Sequence, residues 1–327
     1  MNKIFYIAAF FLLFATGCST KKYYEPEETQ SFKQETVKLN AKIIDINNDG
    51  ATLQDNTFVS KKGILENIKP TYKFLNYVND TLLASNNDAT IYIKNDVIDT
   101  ILPFDKNIVS ASISKNLLAF GAVDNSITLY DLDTKQVIFK EYLKSSAINN
   151  IKIANPIFLN SVVLYPTLDG KVIILDLTTK TIVKTINIDP QSDINNIIFL
   201  KDIGQSLVAA TSKKLFTFIN GRSNIKDVDI QSVIVHNDNI YVATLDGQII
   251  QYDLSLNKLN AKKFRFAKIV ALAYGSSLYA LESQSYLLKI TPDFKDVTIY
   301  DFSFDEEEKV VAIDDKIYFE DEYIELD

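Results

Sequence analysis

The chain has 327 residues, a formal net charge of −8, one histidine, one cysteine and no tryptophan. A negative balance without an arginine-rich tract argues against nucleic acid as a partner. One cysteine excludes an internal disulfide, and one histidine excludes a catalytic or metal site built on several imidazoles.

The N-terminus opens with Lys3 and an apolar run, Ile4 to Phe14 (IFYIAAFFLLF). A membrane-spanning helix needs roughly 20 apolar residues, so this run suits the core of a signal peptide instead. It ends in Ala15-Thr16-Gly17-Cys18. Small residues before a cysteine resemble the bacterial lipobox, which implies a lipid on the Cys18 thiol and removal of residues 1–17. Ser19, rather than an aspartate, follows the cysteine. By resemblance to enteric lipoproteins this implies the outer membrane, with the protein lipid-anchored at the periplasmic face. Residues 18–33 are polar and aperiodic, as expected of a flexible tether. The remainder, 34–327, is expected to form one domain, its core drawn from a chain that is 47% apolar with 17 Tyr and 20 Phe.

Early in that domain stands DINNDG, Asp45 to Gly50. Its Asp45, Asn47, Asp49 and Gly50 match the opening of a calcium-binding loop. The ninth and twelfth places, however, are Leu53 and Asn56, which supply no acidic ligand. The segment reads as a polar turn between two strands.

Repeats follow. LAFGAVDNSITLYDLDTKQVIFKEYL from Leu118, VLYPTLDGKVIILDLTTKTIVKTINI from Val163 and IYVATLDGQIIQYDLSLNKLNAKKFRF from Ile240 align with one another. In each, two apolar strands flank a two-residue turn: Asp124-Asn125, Asp169-Gly170 or Asp246-Gly247. Such pairs favour the positive φ values of tight hairpins. The second strand ends in Asp131, Asp176 or Asp253. These three aspartates could be imagined as a ring of carboxylates, but their fixed place before a polar turn suggests that they bond the turn's amides. Tyr130 and Tyr252 occupy matching places and read as packing residues between neighbouring sheets. Weaker copies start at Leu82, Leu207 and Leu278, each preceded by one more strand.

Four strands at a spacing of roughly 33 to 45 residues is the period of a propeller blade. The fold predicted is an all-β propeller of four-stranded antiparallel blades. There are eight blades, or seven if the compressed first unit (residues 41–68) is not one. The C-terminus supplies only three strands of the last blade, so the N-terminal QETVKLN is expected to close it as the outer strand.

The units LDGKVIILDLTTKTIVKTINI and LDGQIIQYDLSLNK resemble the quinoprotein-like propeller repeat. That repeat is shared by quinone-dependent alcohol dehydrogenases and by BamB-like lipoproteins of the outer-membrane β-barrel assembly machinery. The dehydrogenases need tryptophan on the cofactor, a calcium site and often a disulfide, so no catalytic residues, cofactor or metal are expected here. Resemblance to BamB implies a non-catalytic scaffold that docks envelope proteins, among them the barrel-inserting protein and its companion lipoproteins, through its rim. The alternatives are a scaffold for another envelope complex (secretion, flagellar motor or enzyme maturation) and a propeller that binds a glycan or small molecule in its central channel. His236 reads as an exposed turn residue. Lys262, Lys263, Arg265 and Lys268 read as a solvated strand edge, and Asp305 to Glu308 as a solvated link.

Overall fold

A computed structural model describes residues 22–66, 69–146, 152–190 and 195–327. The segment expected to be a signal peptide, with the expected lipobox residues Ala15, Thr16 and Gly17, and Cys18 lie outside the described residues. Among the described residues every regular element is a strand, and the strands form eight separate sheets. Each sheet is one blade of four antiparallel strands, in chain order from the innermost outward except that blade 8 takes its outer strand from the N-terminus; blade 7 carries a fifth strand. Blade 1 comprises Ile43–Ile46, Gly50–Leu53, Phe58–Ser60 and Gly63–Leu65. Blades 2 to 7 begin at Lys73, Ile108, Ile157, Phe199, Ile230 and Ile269. Blade 8 begins with Val310–Ile313, and the C-terminus supplies its first three strands, the third being Glu322–Glu325.

Closure follows the expected route. Val37–Lys38 pairs antiparallel with the last strand, Val37 opposite Tyr323, and the Leu39 N–H donates to the Asp321 carbonyl at 2.7 Å. Lys38 adds ion pairs to Glu322 and Asp321. Joining an N-terminal strand to the C-terminal ones in a single blade closes the ring.

The segment expected to be a free tether is docked from Tyr24 onward. Tyr24 is 8% exposed, edge-on to Phe264 at 6.1 Å and Tyr286 at 5.7 Å. Gln30–Ser31 then pairs in parallel with Tyr300 and Asp301, a fifth strand on blade 7. Phe32 sits against Tyr300 and Phe302, at 5.4 and 5.5 Å. Two aromatic anchors in an otherwise polar stretch suffice to hold it; they have no periodicity for a sequence pattern to register.

The core lies between blades. Leu83, Ile91 and Ile93 of blade 2 pack with Ala111, Leu118 and Phe120 of blade 3, which is why the middle strands are apolar on both faces. Phe104 and Tyr130 meet there at 5.4 Å. Tyr252 is 3% exposed in the cluster between blades 5 and 6. The Tyr165 hydroxyl crosses from blade 4 to donate to the Thr128 carbonyl of blade 3 at 2.9 Å. Blades 3, 4 and 6 share a bulge where the third and outer strands pair, with Ile138, Val183 and Leu259 as the extra residues. These are the three units whose sequences align best.

Candidate functional site

The innermost strands surround a channel of about 960 Å³. An innermost strand has one edge without a strand partner, so its main-chain groups on that side need other donors and acceptors. Asparagine side chains supply many of them. Asn47 Nδ2 donates to the Phe74 and Leu75 carbonyls of blade 2, both at 2.9 Å. Asn76 and Asn79 of blade 2 donate to the Ala111 and Ile113 carbonyls of blade 3, again at 2.9 Å. Asn196 donates to the Lys152 carbonyl at 3.0 Å.

DINNDG is indeed a turn, and its position gives it a second role. The Asn47 N–H donates to the Gly50 carbonyl at 3.0 Å, and Asn47 Oδ1 accepts the Asp49 N–H at 2.8 Å. The innermost strand of blade 1 has four residues, against seven in blade 6. The blade 1 turn meets Phe74 and Leu75, near the start of blade 2's innermost strand Lys73–Val78. Asn48 Nδ2 reaches the Ile198 carbonyl at the start of blade 5, diametrically opposite in a ring of eight, at 2.5 Å. Asp49 Oδ2 accepts from Asn155 Nδ2 of blade 4 at 2.7 Å. The same Asn155 donates to the Leu75 carbonyl at 3.0 Å and accepts the Ala111 N–H at 2.9 Å. One turn and one asparagine thus tie blades 1, 2, 3, 4 and 5 together across the axis. Gly50 permits this approach, because a Cβ there would stand 2.2 Å from the Val59 carbonyl oxygen and 2.4 Å from the Phe74 ring.

The calcium-loop pattern is not assembled. Asp45 is 3.6 Å from Lys73, while Leu53 is buried and Asn56 belongs to the next hairpin, at φ 67°. Among the described residues no three His, Cys, Asp or Glu side chains gather as metal ligands.

Charge in the channel is mixed. Enclosure by protein pushes the Asp49 pKa up, opposed by the Asn155 bond and by Lys61 and Lys201; its surface stays open to channel water, which moderates the rise. Burial lowers the Lys152 pKa, and its ammonium donates to the Gln231 carbonyl at 3.3 Å. His236, expected to be exposed, is half-buried at the channel mouth, its ring stacked on Tyr274 at 3.9 Å and 12°. Desolvation, then Lys201, lowers its pKa. These groups bond main chain or each other. The arrangement laces the ring.

The repeated turn residues lie outside the channel network. Asp131 Oδ1 accepts the N–H groups of Asp133 and Thr134 at 2.9 and 3.0 Å. Asp176 accepts those of Thr178 and Thr179 at 2.8 and 2.7 Å. Asp253 accepts those of Ser255 and Asn257, both at 2.8 Å. Asp124 accepts the Ser126 hydroxyl at 2.6 Å. Asn125 has φ 63°, and Gly170 and Gly247 have φ 75° and 80°. Asn125 also bridges blades, donating to Asp169 at 3.1 Å and accepting the Leu168 N–H at 2.8 Å. Asp246 pairs with Lys263 and accepts the Thr244 hydroxyl at 2.5 Å. Of the basic group, Lys262 donates to the Phe294 and Lys295 carbonyls at 3.2 and 3.1 Å. Arg265 lies over Phe266, 4.8 Å from its centroid.

The channel-spanning role of Asn48, Asp49 and Asn155 had no sequence signal beyond the shortness of blade 1, since cross-axis contacts join residues far apart in the chain.

The architecture defines an eight-bladed propeller. No family model matches the chain. It is 29% and 28% identical, over 92% of its length, to the plasminogen-binding protein PgbB of two strains of Helicobacter pylori. The chain spans 65% of the length of these curated relatives. Among solved structures, BamB from Moraxella catarrhalis superposes with a TM-score of 0.66 at 12% identity, covering 89% of this chain and 99% of that one. The C-terminal WD40 domain of Sif2 gives 0.65 at 14% identity, covering 92% and 99%. The computationally designed Ika8 protein gives 0.61 at 12% identity, covering 90% and 98%. At these identities the structural likeness is one of fold.

Proposed function

We propose that this protein is a non-enzymatic docking propeller of the bacterial envelope, held at the periplasmic face of the outer membrane by a lipid on Cys18, which binds partner proteins through its rim and loops. The observation that carries this reading is the laced channel. Asn48, Asp49 and Asn155 span the axis with bonds to the protein's own main chain, so recognition falls to the outer surfaces. A rim of short loops on a rigid ring suits loop docking or strand addition. Likeness of fold to BamB supports the barrel-inserting protein and its companion lipoproteins as partners. A second reading has its own support: the sequence likeness to plasminogen-binding proteins favours a surface that captures plasminogen.

One affinity capture separates the two. Tagged protein is recovered from gently solubilised envelopes, with plasminogen offered in parallel. Co-recovery of the barrel-inserting protein supports assembly, saturable retention of plasminogen supports the second reading, and failure of both sinks the docking assignment. The anchor is tested separately. Cys18→Ala is expected to leave the propeller folded but to abolish incorporation of labelled palmitate; unchanged labelling would refute the lipid site.

A further inference from the structure

The N-terminal segment leaves the propeller at one sector of one face. Lys22, just before the buried Tyr24, lies 5.5 Å from the centroid of the Phe266 ring. Phe266 sits in the loop joining blades 6 and 7, between Phe264 and Ala267, which are 7% and 3% exposed. Two buried residues pin this loop while Phe266 between them is 44% exposed, at φ 69°. A bulky aromatic with positive φ is a costly conformation, and here it serves to push an apolar ring outward. Leu245, 55% exposed, and Tyr23, 45% exposed, add apolar surface.

Cations surround these side chains. Lys263, Arg265 and Lys268 line a shallow depression of about 520 Å³ with Leu245 and Phe266. Lys263 is engaged by Asp246, whereas Lys22, Arg265 and Lys268 stand in no ion pair among the described residues. The basic sector is bounded. Exposed Glu25, Glu27 and Glu28 follow toward blade 7, and the acidic loop from Asp305 to Glu308 follows blade 7 itself.

We infer that this sector of blade 6, with Lys22, Leu245, Arg265, Phe266 and Lys268, rests on the bilayer and takes anionic lipid headgroups. The inference builds on the proposed anchor at Cys18. Four residue steps separate Cys18 from Lys22, and a fully extended chain covers at most about 14 Å over that distance. A lipid at Cys18 therefore leaves this sector no room to stand far from the surface. Exposed aromatic and aliphatic side chains flanked by lysine and arginine are the composition of an interfacial contact. The acidic loops beside it set the contact on one edge, with the propeller tilted. The partner-binding surfaces are then the remaining sectors and the opposite face.

The test needs no lipid anchor. Among the described residues every strand lies between Gln30 and Glu325, so a chain beginning at Ser19 contains all eight blades. It is mixed with an excess of phosphatidylcholine vesicles, with and without phosphatidylglycerol, at low salt. Co-sedimentation should favour the anionic vesicles, weaken with salt, and fall roughly tenfold or more in the Arg265→Glu/Lys268→Glu double variant. Both side chains are exposed, and an unchanged circular dichroism spectrum and melting curve would confirm that this variant folds. Because the chain lacks tryptophan, Phe266→Trp supplies a single reporter, whose emission should shift to the blue on anionic vesicles only. Equal sedimentation of wild type and double variant, or an unmoved tryptophan emission, would overturn the membrane contact. Neither result depends on acylation, which the palmitate labelling of Cys18→Ala reads independently.

Discussion

Blade 1 and blade 6 are built on the same plan and use their first turn differently. In blade 6 a seven-residue innermost strand carries the turn to the channel mouth. There His236 stacks on Tyr274, the last residue of blade 7's innermost strand. In blade 1 a four-residue strand stops short. Its turn meets Phe74 and Leu75, near the start of blade 2's innermost strand, and Asn48 goes on to the far wall. In blade 1 the asparagines of that turn find main-chain groups of other blades, and its aspartate finds Asn155. Strand length alone does not decide this, since the innermost strands of blades 4 and 8 have three and four residues.

The sharpest way to break this comparison is at the two glycines that let each blade pack. At Gly50 an added methyl would meet the Val59 carbonyl oxygen at 2.2 Å and the Phe74 ring at 2.4 Å. Both are held by neighbouring strands, so Gly50→Ala should cost about 3 kcal/mol, seen as a lower urea midpoint. Gly247 of blade 6 has φ 80°, and its added methyl would be 2.4 Å from the Phe264 carbonyl oxygen and 2.8 Å from that of Ala267. Gly247→Ala should cost about 2 to 3 kcal/mol, strain and crowding together. Gly221 is the control. It has φ 77° with nothing within 4 Å, so Gly221→Ala isolates the backbone term of about 1 kcal/mol. If Gly50→Ala matches Gly221→Ala in urea, blade 1 is not packed against blade 2 as described.

The difference between the two glycines also marks how much the sequence could disclose. Gly247 follows aspartate between two β-branched runs, and that local pattern alone predicts a hairpin with positive φ. Eight blades, their turns and the closing strand from the N-terminus were all legible in the same way, because each depends on residues close in the chain or on a period. Gly50 looked like the end of a turn, and that much was correct. Its tight fit against Phe74, and the reach of Asn48 to Ile198, depend on the ring having closed. Tyr24 was lost for a related reason: two adjacent tyrosines in STKKYYEPEETQ give no pattern until Phe264 and Tyr286 stand beside Tyr24.

Within the channel, Asn155 sharpens the contrast at lower cost. Asn155→Ala removes the side-chain partner of the Ala111 N–H and of the Asp49 carboxylate, while the Leu75 carbonyl keeps its bond from Asn47. It should cost about 1 to 3 kcal/mol, since the Ala111 N–H and the Asp49 carboxylate lose their bonds to Asn155. Asn48→Ala removes one bond to Ile198 and should cost about 1 kcal/mol. A double-mutant cycle of Asn155 with Asn48 should show a modest coupling of about 0.5 kcal/mol, because Asn155 holds Asp49 in the same turn that carries Asn48. A large coupling energy would mean that the channel wall moves as a unit when either tie is cut.

The smallest effect is electrostatic and belongs to blade 6. Lys263, then Thr244, holds the Asp246 carboxyl at about 2, below the unfolded value of about 3.9. The folded state therefore binds the proton less readily than the unfolded one. This contribution is complete above pH 4 to 5 and is lost as the pH falls through 4 toward 2. The Asp246 side chain is 62% exposed, so water and salt screen the pair and the effect should be a few tenths of a kcal/mol. Asp246→Asn should be less stable than wild type by that amount at pH 6 in low salt, and equal to it near pH 2. The Asp169 carboxyl of blade 4 is the stronger counterpart. Burial pushes its pKa up, but Lys171, Thr167 and Asn125 outweigh burial and leave it lowered. With that side chain only 1% exposed, Asp169→Asn should lose more stability than Asp246→Asn, and added salt should narrow the Asp246 difference while leaving most of the Asp169 difference in place. If the Asp246→Asn deficit persists unchanged at pH 2, it arises from the geometry of the Thr244 hydroxyl bond and not from charge.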